Sequence, residues 1–354
     1  MDRRQGLILI TGGAGFIGSN LGYYYLSQGR RVRIFDNLSR SGAEINLGWL
    51  ESLGGRQLET VVADVRDYAE LRRAVADADV VFHLASQVAV TASVLDPRHD
   101  FEVNALGTLN LLEAARESRH LPIVVFSSSN KVYGKLSGVR INLSGGGYTL
   151  QDLPFGVPED WPLDFCSPYG CSKGSADQYV RDYARLYGLP TVVFRQSCIY
   201  GPHQFGNEDQ GWLAHFVFSA LLGRPITIFG DGFQSRDTLH VADLVRAFDQ
   251  AVQRIDVTRG KVYNLGGGPG NVISLRQLLL LLEGMLDRRL EVVYDDWRPG
   301  DQRVYVSDIR RAMGDLRWAP EIPVKRGLGM LLDWARQHVR STDLASMGAH
   351  ILPT

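Results

Sequence analysis

The chain has 354 residues, of which 45% are hydrophobic and 22% are charged, and its formal net charge is −1. This composition is typical of a globular protein of one or two domains, and the near-neutral balance gives no electrostatic reason to expect nucleic acid or an acidic membrane as a partner. The first apolar run, Leu7–Ile10, is too short for a secretory signal, and no stretch reaches the roughly 18 apolar residues that span a bilayer.

The first half of the chain alternates apolar strands with amphipathic helices. Strands are predicted at Leu7–Thr11, Arg31–Phe35, Leu58–Ala63, Val80–Leu84, Ile123–Ser127 and Thr191–Arg195, and helices at Asn20–Gln28, Glu70–Ala76, Val103–Ser118 and about Ser172–Tyr187. A strand that is apolar throughout is covered on both faces, and alternation with helices indicates a parallel sheet. The predicted fold class is therefore α/β, with a doubly wound (Rossmann) sheet.

Beyond Ile199 the pattern loosens, which indicates a smaller second domain built mostly of loops and helices. Ser274 and Gln277 have the spacing of a capping box before a Leu-rich helix over Ser274–Leu286. We expect residues 1–195, with about 236–270, to form the doubly wound domain, and residues 196–235 with 271–345 to form the smaller one. The Gly- and Pro-rich segment 135–167 is either a loop that shapes a substrate site or a surface insertion.

Three glycines directly follow the first predicted strand. Gly12, Gly15 and Gly18 stand in TGGAGFIG, where a backbone without side chains can turn tightly and approach a pyrophosphate at a helix N-terminus. A merely tight turn would also use glycines, but Asp36 ends the second predicted strand, where a carboxylate can bind the adenosine ribose. That carboxylate would repel a 2′-phosphate, which favours NAD over NADP. Asp64 follows the third strand as either an adenine contact or a helix cap.

A tyrosine and a lysine are spaced for one face of a helix. Tyr169 and Lys173 lie at i and i+4, and a lysine charge beside an oxidised nicotinamide would lower the pKa of the phenol toward working pH. Tyr169 would then remove a proton from a hydroxyl. Ser127, Ser128 and Ser129 close the preceding strand, where Ser129 can hydrogen-bond the reacting oxygen. Such a pair also occurs by chance, and three serines can be only a polar loop.

The order of these motifs resembles the extended short-chain dehydrogenase/reductase family over nearly the whole chain. The motifs are TGGAGFIG (11–18), HLASQ (83–87), Asn104, SSSNKVYG (127–134), YGCSK (169–173), YGP (200–202) and RD (236–237). Within the family, the chain is most similar to the branch that inverts C2 of CDP-linked sugars. That likeness rests on SSNKVYG, LDFCSPYGCSKGSADQYVRDYAR, DQGW (209–212) and DQRVYVSDI (301–309).

Carried over residue by residue, the resemblance implies a site with NAD and no metal. The implied catalytic residues are Ser129, Tyr169 and Lys173. The implied cofactor residues are Gly12, Gly15, Phe16, Ile17, Gly18, Asp36, Asn37, Asp64, Val65, Leu84, Ala85, Ser86, Asn104, Ser127, Tyr169 and Lys173. The implied substrate residues are Gln87, Ser129, Asn130, Ser197, Gln204, Arg236 and Arg298, of which the two arginines would hold a diphosphate.

The chain departs from its relatives at three informative positions. Many relatives have an asparagine where Ser197 stands, which implies that the sugar sits differently. The 4,6-dehydratases place Asp-Glu where this chain has Asn130 and Lys131, so dehydration is disfavoured. The 3,5-epimerases that deprotonate carbon place a cysteine at one of these two positions, and this chain has no cysteine at either.

The resemblance favours a redox-neutral epimerase that transfers a hydride transiently through a keto sugar, most like the CDP-sugar 2-epimerases. The alternatives are a UDP-hexose 4-epimerase acting on UDP-glucose or UDP-glucuronate, a nucleotide-sugar dehydrogenase or reductase with net NAD turnover, and a non-catalytic NAD sensor.

The doubly wound domain would bind NAD, and the smaller domain would bind the nucleotide sugar. Three cysteines without a disulfide or zinc spacing fit the cytoplasm. The helices at 103–118 and 172–187 resemble the family's dimer-forming pair, so we expect a homodimer or homotetramer.

Overall fold

The computed structural model describes residues 6–298 and 301–340, so part of the predicted second domain, residues 299–300 and 341–345, lies outside the described residues. The strands are β1 (Ile8–Thr11), β2 (Val32–Asp36), β3 (Leu58–Val62), β4 (Val80–His83), β5 (Ile123–Ser129), β6 (Ile141–Ser144), β7 (Gly147–Leu150), β8 (Thr191–Gln196), β9 (Cys198–Tyr200), β10 (Ile226–Phe229), β11 (Ser235–His240), β12 (Lys261–Leu265), β13 (Val272–Ser274), β14 (Val292–Asp295) and β15 (Val304–Tyr305).

The helices alternate with these strands. They are α1 (Phe16–Ser27), α2 (Ala43–Gly54), α3 (Tyr68–Val75), α4 (Val90–Leu95), α5 (Pro97–Phe101), α6 (Gly107–Glu117), α7 (Ser167–Leu186), α8 (Trp212–Leu222), α9 (Val241–Gln253), α10 (Ile255–Thr258), α11 (Leu275–Leu286), α12 (Arg310–Leu316) and α13 (Val324–Arg340). No helix within the described ranges is both long and apolar enough to cross a membrane.

The central layer in the described ranges is a seven-stranded sheet with the order β12-β8-β5-β4-β1-β2-β3. Every neighbouring pair of these strands is parallel. The chain builds the sheet outward from β1 in one direction through β2 and β3, then in the other direction from β4. The carboxyl ends of β1 and β4 therefore border a crevice. The predicted doubly wound α/β fold is confirmed.

Helices cover both faces of this sheet. Successive side chains of a strand point to opposite faces, so Ile10 and Phe82 pack in one buried cluster with α1 and α9. Leu9 and Val81 pack in the other cluster, with α3, α6 and α7. The near-continuous apolar runs of the strands are thus explained by burial on both sides.

A separate apolar cluster joins α8, α11 and α13 beyond the sheet. The helix α11 begins with the predicted capping box, which is confirmed. The Ser274 hydroxyl accepts from the Gln277 backbone N–H at 3.2 Å, and the Ser274 N–H donates to the Gln277 side chain at 2.9 Å. The segment at 135–167 contains the hairpin β6–β7, and Tyr148 donates from its backbone to the Phe233 carbonyl. This segment is therefore hydrogen-bonded to residues 196–235, which are predicted to belong to the smaller domain.

Several helices differ from the sequence prediction, and α1 begins at Phe16, four residues earlier than predicted. The helix α2 was not predicted, because it begins after Gly42, a left-handed residue (φ 83°), with no polar side-chain cap. The helix α7 begins at Ser167, five residues earlier than predicted, since Pro168 is compatible with a first helical turn. The predicted helix at 103–118 opens with a π-helical turn, Glu102–Leu106, before α6.

Candidate active site

A cavity of about 580 Å³ opens at the carboxyl ends of the central strands. It is lined by predicted cofactor residues, namely Gly12, Gly15, Phe16, Ile17, Gly18, Asp36, Asn37, Asp64, Val65, Leu84, Ala85, Ser86, Ser127, Tyr169 and Lys173, and by the predicted substrate residues Gln87, Ser129, Ser197 and Gln204. The structure thus brings most of the predicted residues together. Four predicted residues are not in its lining: Asn104, Asn130, Arg236 and Arg298.

The glycine turn between β1 and α1 requires a residue without a side chain and ends at a helix N-terminus. Gly12 has φ 68°, and a Cβ at that position would lie 2.6 Å from the Ala85 backbone nitrogen. Gly15 caps α1, and the first turn of the helix carries no acidic side chain. The free N–H groups and the helix dipole at this end favour a negatively charged group, so the turn fits the pyrophosphate of a dinucleotide.

Asp36 lies at the end of β2 on the cavity wall. Its carboxylate accepts hydrogen bonds from the Ala14 N–H at 3.0 Å and the Leu38 N–H at 2.8 Å. Burial raises the pKa of Asp36, although these N–H groups favour the charged form. A carboxylate has about four acceptor sites, so Asp36 retains sites for two ribose hydroxyls.

Replacing Asp36 with alanine should weaken NAD binding by about 10–100-fold, because hydrogen bonds to a charged group contribute about 1.5–3 kcal/mol. Discrimination against NADP should also relax, since the repelling charge is gone. Asp36→Asn keeps one acceptor without the charge and should bind NAD between the two. Titration of protein freed of cofactor measures both affinities. Equal affinity for NAD and NADP in the unmutated protein would contradict the assignment.

Asp64 stays at the cavity wall and does not cap a helix. It accepts from the Asn37 amide at 2.7 Å and from Arg66 at 2.9 Å. Partial burial favours the neutral acid, but the Arg66 hydrogen bonds outweigh it and lower the pKa of Asp64 to about 2. The N-cap of α3 is Asp67. The helix-cap alternative for Asp64 is therefore wrong, and its adenine contact remains a prediction.

Asn104 lies behind the cavity wall, in the π-helical turn. It is 1% exposed, accepts from the Ser86 hydroxyl at 2.6 Å and donates to the Gln87 carbonyl at 3.0 Å. Its amide is thus engaged with the protein, and its direct contact with the cofactor remains a prediction. Asn104 holds the Ser86–Gln87 backbone that forms the wall.

The three predicted catalytic residues meet where β5 ends and α7 begins. Ser129 is the last residue of β5, Tyr169 lies in the first turn of α7, and Lys173 follows one turn later. The Ser129 hydroxyl lies close enough to Tyr169 to favour its phenolate form. Tyr169 is 8% exposed and Lys173 is 3% exposed, and the Lys173 ammonium lies 4.7 Å from the Phe126 ring centroid. The cavity therefore has a phenol, a hydroxyl and an ammonium at one end.

Burial shifts the pKa of both titratable groups. Burial raises the pKa of Tyr169 to about 12, and the Ser129 hydrogen bond only partly opposes this. The sequence predicts that Lys173 and a bound nicotinamide together lower the pKa of Tyr169. The groups of the protein alone do not produce that lowering. Burial also lowers the pKa of Lys173 to about 8, although the charges of Asp100 and Asp177 oppose it.

Sequence reasoning missed Asp100, a fully buried carboxyl behind this pair. One oxygen accepts from the Asn104 amide at 3.0 Å, and the other accepts no hydrogen bond of normal geometry from the part of the chain that the structure describes. Burial raises the pKa of Asp100, with Ser172 and Lys173 opposing. In the sequence PRHDFEVN this residue has the pattern of a surface charge, and only the packing of α5 against α7 reveals it.

Replacing Asp100 with asparagine should move the alkaline fall of activity to lower pH. Removing a negative charge disfavours the Lys173 ammonium and lowers its pKa further below about 8. The catalytic ammonium is then lost at a lower pH, while Asp177 still supports it. The pH profile of kcat/KM measures the shift. Asp182→Asn, at an exposed position of α7, is the matched control and should leave the profile unchanged.

A buried ion pair supports this end of the cavity. Asp177 accepts from Arg195 at 2.9 Å and from the Ser128 hydroxyl at 2.9 Å. Arg195 also donates to the Tyr133 hydroxyl, which in turn donates to Asn264. This network joins β5, α7, β8 and β12 directly beneath Ser129.

The two predicted diphosphate arginines lie outside the cavity lining, and each holds a carboxylate. Arg236 pairs with Asp301 at 3.2 Å. Arg298 pairs with Glu208 at 3.3 Å and lies 3.8 Å over the Phe229 ring. Both guanidinium groups are therefore already paired with carboxylates, and their contact with a diphosphate remains a prediction.

The other predicted substrate residues differ in whether their polar side-chain atoms already have hydrogen-bond partners. The Ser197 hydroxyl donates to Asp237 at 2.6 Å, so its proton is already engaged. Gln87 and Gln204 line the cavity, and their side-chain oxygens are buried with no partner in the described residues. These two oxygens are the acceptors best placed for ligand hydroxyls. Asn130 accepts from the Ser129 hydroxyl at 3.4 Å and lies behind the serine.

Comparison with known proteins matches this arrangement to one family. The sequence profile of the NAD dependent epimerase/dehydratase family matches residues 8–266. CDP-paratose 2-epimerase of Salmonella typhi is 45% identical over 92% of this chain and 98% of its own. The crystal structure of Thermotoga maritima UDP-glucose 4-epimerase with UDP-glucose has a TM-score of 0.82 at 32% identity, over 94% of this chain and 100% of its own. Bacillus cereus UDP-glucuronic acid 4-epimerase, in complex with UDP-glucuronic acid and NAD, has a TM-score of 0.82 at 27% identity, over 94% and 99%.

Proposed function

The chain belongs to the NAD-dependent epimerase/dehydratase family, and from that premise we propose that it inverts C2 of a sugar carried on cytidine diphosphate. It is an NAD-dependent epimerase of nucleotide-linked sugars. The observation that carries the choice of carbon and nucleobase is the 45% identity to a CDP-paratose 2-epimerase over 92% of the chain.

The residues of the cavity account for the proton transfers of such a reaction. Bound NAD supplies reversible oxidation of a carbinol carbon. Tyr169 takes the proton of the sugar hydroxyl and later returns it, while Ser129 hydrogen-bonds the same oxygen. The Lys173 ammonium favours the phenolate during this exchange. Because these groups are almost fully buried, the cavity keeps water from the sugar ketone, which must present its opposite face before reduction.

A UDP-hexose 4-epimerase is the second candidate. It is favoured by the structural likeness to epimerases solved with UDP-glucose and with UDP-glucuronic acid. A dehydrogenase or reductase with net NAD turnover belongs to another class, and it would need stoichiometric cofactor that an absorbance trace follows.

The test is to incubate the purified protein with a panel of CDP- and UDP-linked sugars and identify the products by NMR. The proposal expects conversion of a CDP-sugar to its C2 epimer without added NAD. Conversion of UDP-hexoses at C4 alone would establish the second candidate instead.

We also propose the division of the chain and its assembly. Residues 1–195 with about 236–270 bind NAD, and residues 196–235 with 271–345 bind the nucleotide sugar, which the separate apolar cluster of α8, α11 and α13 supports. A homodimer or homotetramer forms through α6 and α7, where Tyr179 and Leu186 are exposed. Light scattering of the purified protein measures this assembly. Three unpaired cysteines support a cytoplasmic location.

A further inference from the structure

Lys131 lies two residues beyond the catalytic serine, yet the mechanism above does not use it. Its backbone N–H donates to the Ser129 hydroxyl oxygen at 3.2 Å, in the short 3-10 turn Asn130–Tyr133. A Cβ on Gly170, next to Tyr169, would lie 3.4 Å from the Lys131 carbonyl oxygen. The lysine is therefore fixed between the catalytic serine and the start of α7, and its side chain is partly buried.

Within the described residues, the Lys131 ammonium has no carboxylate partner of its own. It forms no salt bridge with any residue in the ranges 6–298 and 301–340. Burial lowers the pKa of Lys131, the charge of Arg236 lowers it further, and Asp301 opposes both. Asp301 already pairs with Arg236 at 3.2 Å. Asp301, the carboxylate that favours the Lys131 ammonium, is thus already paired with Arg236, an arrangement that an additional anion stabilises.

The chemistry of a 2-epimerase identifies where that anion must be. In a nucleotide sugar the diphosphate is attached to C1, and C2 is the adjacent ring carbon, whereas C4 lies across the ring. An enzyme that presents C2 to Ser129 and Tyr169 therefore brings the sugar-linked phosphate close to the catalytic serine. An enzyme that presents C4 keeps this phosphate a full ring away.

We propose that Lys131 binds the sugar-linked phosphate and thereby places C2, rather than C4, in front of Tyr169. This inference rests on the proposed function. Arg236, on strand β11, neutralises the same diphosphate. Lys131 is thus a specificity-determining residue whose role is to fix which carbon meets the catalytic groups.

The test compares CDP with CMP, because only CDP carries the phosphate that would be sugar-linked. In Lys131→Met the affinity for CDP should fall by about 10–100-fold, the effect of one charge-assisted hydrogen bond, while the affinity for CMP stays the same. Lys131→Arg should keep most of the CDP affinity. Lys135→Met removes a lysine at an exposed position of the same segment and should change neither affinity. Isothermal titration measures all three, and the NAD content of each variant shows that its fold is intact.

Unchanged CDP affinity in Lys131→Met would overturn the inference, and so would an equal loss for CDP and CMP, which would indicate a general distortion. The same variant should raise KM for the CDP-sugar. Failure of the proposed function is distinguishable, because it would appear in the unmutated protein as absence of C2 inversion. The comparison of diphosphate with monophosphate could still be made with UDP and UMP.

Discussion

Replacing Tyr169 with phenylalanine is expected to lower turnover by about 10²–10⁴-fold, the range typical of an acid–base group. The substitution removes the proton acceptor but keeps the ring in its buried position on α7. NAD should therefore remain bound. Steady-state rates, and the cofactor released from a weighed amount of denatured protein, measure the two quantities separately.

Tyr23→Phe is the control for this substitution, because Tyr23 is an exposed tyrosine on α1 outside the cavity. It should turn over at the normal rate. Near-normal turnover in Tyr169→Phe would remove the tyrosine from the mechanism, and loss of NAD together with turnover would assign it a binding role instead.

Replacing Asp177 with alanine should destabilise the fold by about 3–5 kcal/mol, because it leaves the Arg195 guanidinium buried without a counter-charge. The two side chains are 0% and 2% exposed. The Ser128 hydroxyl loses its acceptor in the same variant. Urea unfolding followed by fluorescence measures the change in the free energy of unfolding.

Two further variants make this result interpretable. Asp152→Asn breaks the exposed pair with Arg140 and should leave the free energy of unfolding nearly unchanged. The double variant Asp177→Leu/Arg195→Met replaces both charges with apolar groups and should recover much of the lost stability. A cost below 1 kcal/mol for the single alanine variant would show that this ion pair does not hold α7 to β8.

The parts of the site that sequence predicts are those carried by local spacing. Gly12, Gly15 and Gly18 share one turn, and Tyr169 and Lys173 share one helix, so their relative positions follow from backbone geometry alone. The strands could be predicted because each is buried on both faces and therefore apolar throughout.

The parts that sequence does not predict depend on contacts between distant segments. In the sequence, Asp100 has the pattern of a surface charge, and its burial follows only from the packing of α5 against α7. The Ser197 proton is engaged by Asp237, 40 residues further along the chain, and Asn104 is turned toward Gln87 instead of the cavity. Such pairings have no signature in local composition, because hydrogen-bond partners are chosen by the tertiary fold.

The sequence does not predict a role for Lys131 either. In the sequence, this position is informative only because it lacks the acid pair that dehydratases carry. Arg236 and Asp301, whose charges act on Lys131, come from β11 and from the segment before β15, so this pairing follows only from the tertiary fold.

The most direct test of the account is turnover in D2O by the protein as purified, with a CDP-sugar as substrate and no added NAD. Reversible oxidation at the reacting carbon returns the same hydrogen, whereas deprotonation of carbon exchanges it with solvent. We expect NMR to show a product inverted at C2 that retains protium at that carbon. Deuterium at the inverted carbon would contradict hydride transfer, and inversion at another carbon would contradict the assignment of C2.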